Sequence, residues 1–386
     1  MFSSRSSFDF SLNALAAAHA RARKGSLLDL TESNPTRASI PYDADVILPA
    51  LAMPSSMHYE PLPFGLPAAR EAVASDLGAH GPPVDPSRVV LTASTSEAYA
   101  FLFKLLCDPG DEVLVPSPSY PLFEHLARLE SVRAVPYRLA YDGAWHVDLP
   151  SVRAAVSSRS RAIVAVSPNN PTGSYLKRHE LDALADVGLP IVSDEVFGRY
   201  AVKADGARAT SALEAGDRAP LVFALGGLSK LAGLPQMKLA WIAIGGQAAR
   251  VTEALARLEV IADAFLSVGT PVQHALPALL ASRNTAERSI HDRMLSNVAA
   301  IASAAGGSAV SLLDVEGGWY AILRLPATRT EEAWTLAFLE QDGVYVHPGH
   351  FFDFEDEAYV VVSLLTPEET LREGVRRIVD RVDRDA

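Results

Sequence analysis

Four short segments concentrate the side chains that could do chemistry. Leu228-Ser229-Lys230 closes an apolar run inside a Gly-rich stretch, with Lys238 eight residues further on. An amine at the end of a buried strand is stripped of water, which lowers its pKa and makes it nucleophilic toward carbonyls. The plainer alternative is a lysine that snorkels from a strand mouth. Ser193-Asp194-Glu195-Val196-Phe197 closes a second apolar run. Two adjacent carboxylates there are unfavourable unless at least one meets a buried cation, and a helix cap by Asp194 is the ordinary role. No His or Cys stands nearby at ligand spacing, so a metal centre is a weak third reading. Asn170-Pro171-Thr172-Gly173 is turn chemistry when taken alone. Ser94-Thr95-Ser96-Glu97 offers hydroxyls and free N–H groups for an anion, or a simple capping box.

The elements around these segments give them a common address. From about Val89 to Ile244 short β-rich runs (VVLTAS, EVLVPSP, RAIVAVSP, PIVSDEV, LVFALGG, KLAWIAIGG) alternate with helical stretches such as Leu122 to Glu130 and Lys177 to Val187. Continuous apolar runs suit parallel strands covered on both faces, and the alternation predicts an α/β open sheet. In such sheets ligands lie at the carboxyl ends of the strands, where Ser94, Thr95, Asn170, Asp194 and Lys230 all fall. Beyond Ile244 the texture changes. A long helical region from Gln247 to Gly306 precedes a strand at Trp319 to Leu325, a helix at Glu331 to Gln341 and a strand at Tyr359 to Leu365. A last helix opens with Thr366-Pro367-Glu368-Glu369, which reads as a capping box with proline at the first position. This region, with the first forty-five residues, is expected to form a smaller α+β domain.

Bulk composition fits that picture. The 386 residues are 49% apolar and 21% charged, as in one or two well-packed domains. A net charge of -12 argues against a nucleic-acid partner, which needs a clustered basic surface. Cys107 is the single cysteine, so no disulfide framework exists, the thiol reads as a buried structural one, and the default compartment is the cytoplasm. No apolar stretch is long enough to span a bilayer, and Leu12 to Arg23 reads as an Ala-rich helix rather than a secretory signal.

Taken together and in order, the motifs resemble the fold-type I class I/II aminotransferases over nearly the whole chain. The echoes are Tyr59 with Gly65-Leu66 and Ala69-Arg70-Glu71-Ala72-Val73, then LTASTSEA, PSPSYP, SPNNPTG, SDEVF, LSKLAGLP and the late GGWY and HPG. The resemblance implies a mostly parallel sheet sandwiched by helices, spanning 46–270, and a smaller α+β domain from 1–45 and 271–386. It implies pyridoxal 5'-phosphate, held as a Schiff base by Lys230, and transfer of an amino group from a small amino donor to a keto acceptor. Asp194 would pair with the ring nitrogen, Asn170 would donate to the ring oxygen, and Tyr120 would stack on the ring. Ser94, Thr95 and Lys238 would hold the phosphate, and Tyr59 would reach the phosphate of a neighbouring subunit in a homodimer.

Several positions depart from the family pattern. Lys238 stands for an arginine and loses its fork, Gly227 replaces a phosphate-binding serine, and Phe197 replaces a tyrosine that donates to the ring oxygen. Near the C-terminus the family's Arg-x-Ser reads Val361-Val362-Ser363, so the arginine that clamps a substrate carboxylate is Val361. Either another cation replaces it, with Arg37 of Asn34-Pro35-Thr36-Arg37 first and His347 or His350 behind, or the substrate carries no carboxylate there. Arg37 as a plain surface residue and the histidines as loop residues are equally open. Two other functions stand beside transamination. A lyase or synthase could use the same lysine, aspartate and ring. A non-catalytic sensor would carry a basic DNA-binding module ahead of the fold, whereas only a short stretch precedes the matching region here.

Overall fold

The computed structural model describes residues 2–22, 27–356 and 358–385. A short strand β1 (Leu28–Asp29) precedes the strands of a large sheet: β2 (Val89–Thr92), β3 (Glu112–Ser117), β4 (Arg133–Tyr141), β5 (Trp145–Val147), β6 (Ser160–Val166), β7 (Ile191–Asp194), β8 (Leu221–Gly227) and β9 (Ala240–Gly246). Their order is β2-β9-β8-β7-β6-β3-β4-β5. The run from β8 through β7, β6 and β3 to β4 is parallel. β9 is antiparallel to β8 and β2, and β5 is antiparallel to β4.

Side-chain alternation explains why these runs are apolar throughout. In β3, Val113 and Val115 enter one core while Leu114 enters another, and in β6 Val164 and Ile163 divide the same way. The first core is closed by helices Thr95–Leu106 and Ala248–Asp263 through Phe101, Leu102, Val251 and Leu258. The second is closed by helix Arg178–Ala185 through Leu181 and Leu184. Each such aliphatic side chain contributes about 1.5–3 kcal/mol by leaving water.

The remaining strands are β10 (Ser311–Leu312), β11 (Tyr320–Arg324), β12 (Val344–Tyr345), β13 (His347–Pro348) and β14 (Tyr359–Ser363). An antiparallel sheet in the order β10-β11-β14-β13 packs with helices Asn284–Ala305 and Glu368–Asp385 around Trp319, Trp334, Phe338 and Val362. β1 pairs in parallel with β12, which ties the N-terminal segment to this unit.

Three details differ from the sequence expectations. The Ala-rich helix spans Ala14–Ala22, capped where Asn13 Oδ1 accepts from the Ala16 N–H at 2.7 Å, and Arg23 lies outside the described residues. The last helix begins at Glu368 without the expected capping box, because Thr366 Oγ1 is buried and makes no hydrogen bond. The Thr366 backbone is held instead by Asn297, whose Nδ2 donates to its carbonyl at 2.8 Å. Finally, helix Thr270–Ser282 places Val272, Leu276 and Leu279 against Val89, Leu91 and Trp241 of the large sheet. From that packing we propose that the division between the two units falls after Ser282 rather than at 270.

Candidate active site

The carboxyl ends of the strands converge on a cleft of about 450 Å3 whose far wall comes from the smaller unit. At its floor, β8 ends in Gly227 and the short helix Leu228–Leu231 delivers Lys230. The Tyr200 hydroxyl donates to the Lys230 carbonyl at 2.8 Å, which fixes that turn. Lys230 Nζ lies 5.2 Å from the Trp319 ring centre and 5.7 Å from that of Phe197. Burial lowers its pKa, and the Asp194 carboxylate pulls in the opposite direction. The strand-end lysine is therefore a desolvated amine rather than a snorkelling one.

Asp194, the last residue of β7, faces Lys230 across the cleft. Burial raises its carboxyl to about 6, against hydrogen bonds from the Val196 N–H at 3.2 Å and the Tyr99 hydroxyl at 3.3 Å. No helix starts at Asp194, so it is not a helix cap. Its neighbour Glu195 points the other way, accepting from the Ala212 N–H at 2.7 Å and bordering a separate hollow of about 370 Å3. The adjacent carboxylates thus divide between two environments. Only Asp194 serves the cleft.

β6 leads into the Asn170 loop, which Asn169 braces by donating to Pro118 O at 3.1 Å and Thr172 Oγ1 at 2.9 Å. Gly173 has φ +72°, and a Cβ there would stand 2.5 Å from the Gly317 carbonyl oxygen. Only glycine lets this loop touch the Gly317-Gly318 turn that leads into Trp319, whose ring lies beside Lys230 Nζ. Asn170 itself is buried, and its Oδ1 has no hydrogen-bond partner among the described residues. A satisfied turn residue would not be left so.

At the head of helix Thr95–Leu106 the two sequence readings coexist. Ser94 caps the helix, its Oγ accepting from the Glu97 N–H at 3.2 Å, while Glu97 Oε2 accepts from the Ala93 N–H at 2.7 Å. Ser94, Thr95 and Ser96 still line the cleft together with Ser229, so hydroxyls and helix N–H groups remain available to an anion. Tyr120 lines the same cleft, edge-on to Phe123 at 6.5 Å.

The opposite wall is aromatic. Tyr320 of β11, His347 of β13, Phe351 and Phe352 meet Phe197 there, with Tyr320 6.4 Å from both Phe197 and Phe352. Burial lowers the His347 pKa, partly opposed by Asp29, so the imidazole is neutral near pH 7. Val361 on β14 pairs with Ile322 and His347 and is 1% exposed, packed in the cluster that holds Phe352 and Leu114.

Several expected residues stand elsewhere. Arg37 has a side chain 74% exposed and pairs with Glu32 through Nε at 3.2 Å, while Asn34 Oδ1 accepts from Thr36 N and Oγ1 at 3.0 and 2.8 Å to close a turn. Neither lines the cleft, because local pairing and turn formation take up both groups. His350 hydrogen-bonds Glu331 at 3.2 Å. Lys238 sits in a left-handed turn with its side chain exposed, and Tyr59 is 71% exposed beside a different hollow formed with Leu62 and Gly65. In turn, the cleft includes Ser96 and Ser229, which the sequence motifs contain without a role of their own, and Ser33, Tyr320, Phe351 and Phe352, to which sequence alone assigns none. Adjacency to Lys230 signalled Ser229. Nothing local marked the phenylalanines.

The residues suit an aldehyde cofactor with a phosphate and a protonated ring nitrogen. A desolvated amine, a carboxylate with no contact cation among the described residues, the Asn170 amide in the cleft lining and a helix head lined with hydroxyls offer partners to its aldehyde, ring nitrogen, ring oxygen and phosphate. Comparison with known proteins agrees. The family model described as aminotransferase class I and II matches residues 26–378. Nicotianamine aminotransferase 1 of Oryza sativa subsp. japonica is 30% identical over 236 residues, 59% of this chain and 46% of that protein. Glutamate-pyruvate aminotransferase AlaA of Escherichia coli strain K12 is 30% identical over 221 residues, 56% of this chain and 54% of that one. These matches span about half the length of those two proteins, whereas the alanine aminotransferase of Mycobacterium tuberculosis strain H37Rv matches at 26% identity over 92% of this chain and 79% of its own. An alanine aminotransferase structure from Pyrococcus furiosus superposes with a TM-score of 0.89 at 22% identity, covering 100% of both chains, which speaks for the fold.

Proposed function

The chain belongs to the class I and II aminotransferases, and we propose that it is a pyridoxal-phosphate-dependent transaminase that moves an amino group from an amino donor to a keto acceptor. The observation that carries this reading is one cleft that holds a desolvated amine with a depressed pKa together with a desolvated carboxylate raised to about 6. When bound, pyridoxal phosphate supplies an aldehyde for the amine and a ring that takes up the electron pair of the substrate carbon. Each remaining role belongs to the chain. Asp194 has no contact cation among the described residues, and a protonated ring nitrogen would supply one; its ionised form would then hold that proton in place. Asn170 lines the cleft, where its Nδ2 would donate to the ring oxygen. Ser94, Thr95, Ser96 and Ser229 would hold the phosphate at the positive end of helix Thr95–Leu106. Lys230 Nζ, with its pKa lowered, is able to take up a proton from the substrate carbon and return one. The aromatic wall excludes water from that transfer.

We extend the reading to a homodimer in the cytoplasm. Tyr59, matched to the tyrosine that reaches a neighbouring phosphate, is exposed and away from its own chain's cleft, where a second copy could use it. The lone thiol of Cys107 fits a reducing compartment. The test of the catalytic reading is borohydride reduction of protein supplied with pyridoxal phosphate, followed by peptide mass analysis. A yellow protein with the label fixed on Lys230, absent from Lys230→Ala, is expected. Colourless protein, or label fixed elsewhere, would defeat it.

A further inference from the structure

We infer that the reacting carbon of the amine taken by this site carries no carboxylate, and that the substrate is a primary amine with an aromatic or extended apolar substituent. The inference rests on the aminotransferase reading and departs from the amino-acid substrates named for its relatives. Its ground is the charge inventory of the cleft. Among the described lining residues the ionised groups are Lys230 and Asp194, the first reserved for the cofactor and the second an anion. No arginine lines it, and the remaining base, His347, is held neutral by burial.

A substrate carboxylate entering this space would lose its water and find no cation, an unfavourable exchange in a poorly solvated site. The two positions that the sequence offered for a guanidinium are closed in different ways. Val361 is packed into the core behind the aromatic wall, and the Arg37 side chain turns outward to Glu32. What the wall does offer is apolar area. Tyr320, Phe351 and Phe352 from one side and Phe197 and Tyr120 from the other can take a ring or chain out of water. In the exchange, a donor R–CH(NH2)–R′ gives its amino group and two electrons to the cofactor and leaves as the carbonyl R–CO–R′. The amino group would pass to the bound cofactor's aldehyde carbon in exchange for its oxygen, by way of water, and an acceptor carbonyl of the same class would reverse both changes.

The discriminating probes are 2-phenylethylamine and phenylalanine, which differ by one carboxylate on the reacting carbon. Each is mixed with holoenzyme whose cofactor has already been shown to sit on Lys230. The loss of the visible cofactor band in a single turnover is followed. 2-Phenylethylamine is expected to react about 100-fold faster at equal, subsaturating concentration, the penalty for an unpaired buried anion. Phenylalanine reacting as fast or faster overturns the inference, and its loss in Arg37→Ala would show that Arg37 swings inward instead. If neither compound turns over, binding is read from quenching of tryptophan fluorescence, since Trp319 lies beside Lys230. Amine binding without amino-acid binding supports the inference, and any other pattern overturns it. Val361→Arg, where it folds, should shift the preference toward phenylalanine by at least about 10-fold. Protein that never takes up the cofactor fails the parent reading before any donor is added, which keeps the two failures apart.

Discussion

The floor and the far wall of the cleft are built on different terms. The floor comes from the ends of β6, β7 and β8 and presents polar groups left incomplete among the described residues: an amine whose pKa burial lowers, a carboxylate without a contact cation, an amide oxygen without a partner. The wall comes from the smaller unit, where Tyr320, His347, Phe351 and Phe352 pack on one another and on Phe197. Unsatisfied polar groups are tolerated on the floor because a bound cofactor completes them. The wall needs no such completion, and what it lacks is charge. The floor therefore defines the chemistry and the wall defines which molecule undergoes it. Substitutions on the two sides should fail in separable ways.

The largest effect belongs to the floor. Lys230→Ala should lower single-turnover amine transfer by at least about 10^4-fold, since both the covalent tether and the proton carrier vanish. Rapid-mixing absorbance checks it, and residual transfer within 10-fold of wild type would break the division of labour. Asp194→Asn should lower the same rate by about 10^3-fold. It also has an opposite effect on the apoprotein. The folded carboxyl titrates at about 6 against 3.8 in the ordinary state, so as pH rises the unfolded chain loses its proton first. That penalty is absent below pH 4, grows between pH 4 and 6, and is complete above, at up to about 3 kcal/mol. Urea unfolding should thus find apo Asp194→Asn more stable than wild type at pH 8 and equal to it at pH 4. Adding cofactor should erase the variant's advantage.

The wall predicts a smaller and differently shaped loss. Phe351→Ala should reduce kcat/KM for 2-phenylethylamine by about 10-fold by removing apolar contact area, with cofactor affinity unchanged. Equal losses in both quantities would mean that the wall also holds the cofactor.

How much of this was legible before the fold was known follows the same split. β8 and its lysine could be read because seven consecutive buried residues leave a continuous apolar string that ends in Lys230. Asp194 and Asn170 were readable for the same reason, as polar residues placed where apolar runs stop. The partition of Asp194 from Glu195 was not, since both are acids at one strand end and only the tertiary hollow on each side separates them. Tyr99 was equally hidden: it lies in an ordinary apolar helix face, and its hydroxyl meets Asp194 only through packing across 95 residues of sequence. Arg37 looked like a replacement cation because a string carries no direction, whereas its pairing with Glu32 five residues earlier turns it away. Val361 stands two residues before Ser363 on β14, and its neighbours on β11 and β13 come from strands that the local string does not announce.

The smallest predicted effect lies where floor and wall meet, at Phe197. The ring is 4% exposed, stands edge-on to Trp319 at 5.3 Å and to Tyr320 at 6.4 Å, and has Lys230 Nζ at 5.7 Å. It brings apolar bulk to the floor but no donor. A bound cofactor's ring oxygen would then depend on Asn170 among these residues, and its negative charge would be less well stabilised when the Lys230 nitrogen gives up its proton. The proton should therefore be held to higher pH in wild type. In Phe197→Tyr a hydroxyl in donor range would favour the deprotonated form by the worth of one hydrogen bond to a charged group, about 1.5 kcal/mol. That corresponds to a fall of about one unit in the pH midpoint of the cofactor's visible absorption. Titration of both holoenzymes between pH 5 and 10 tests it. An unchanged midpoint, with colour and stability intact, would place Phe197 in the wall alone and leave the ring oxygen to Asn170 in both proteins.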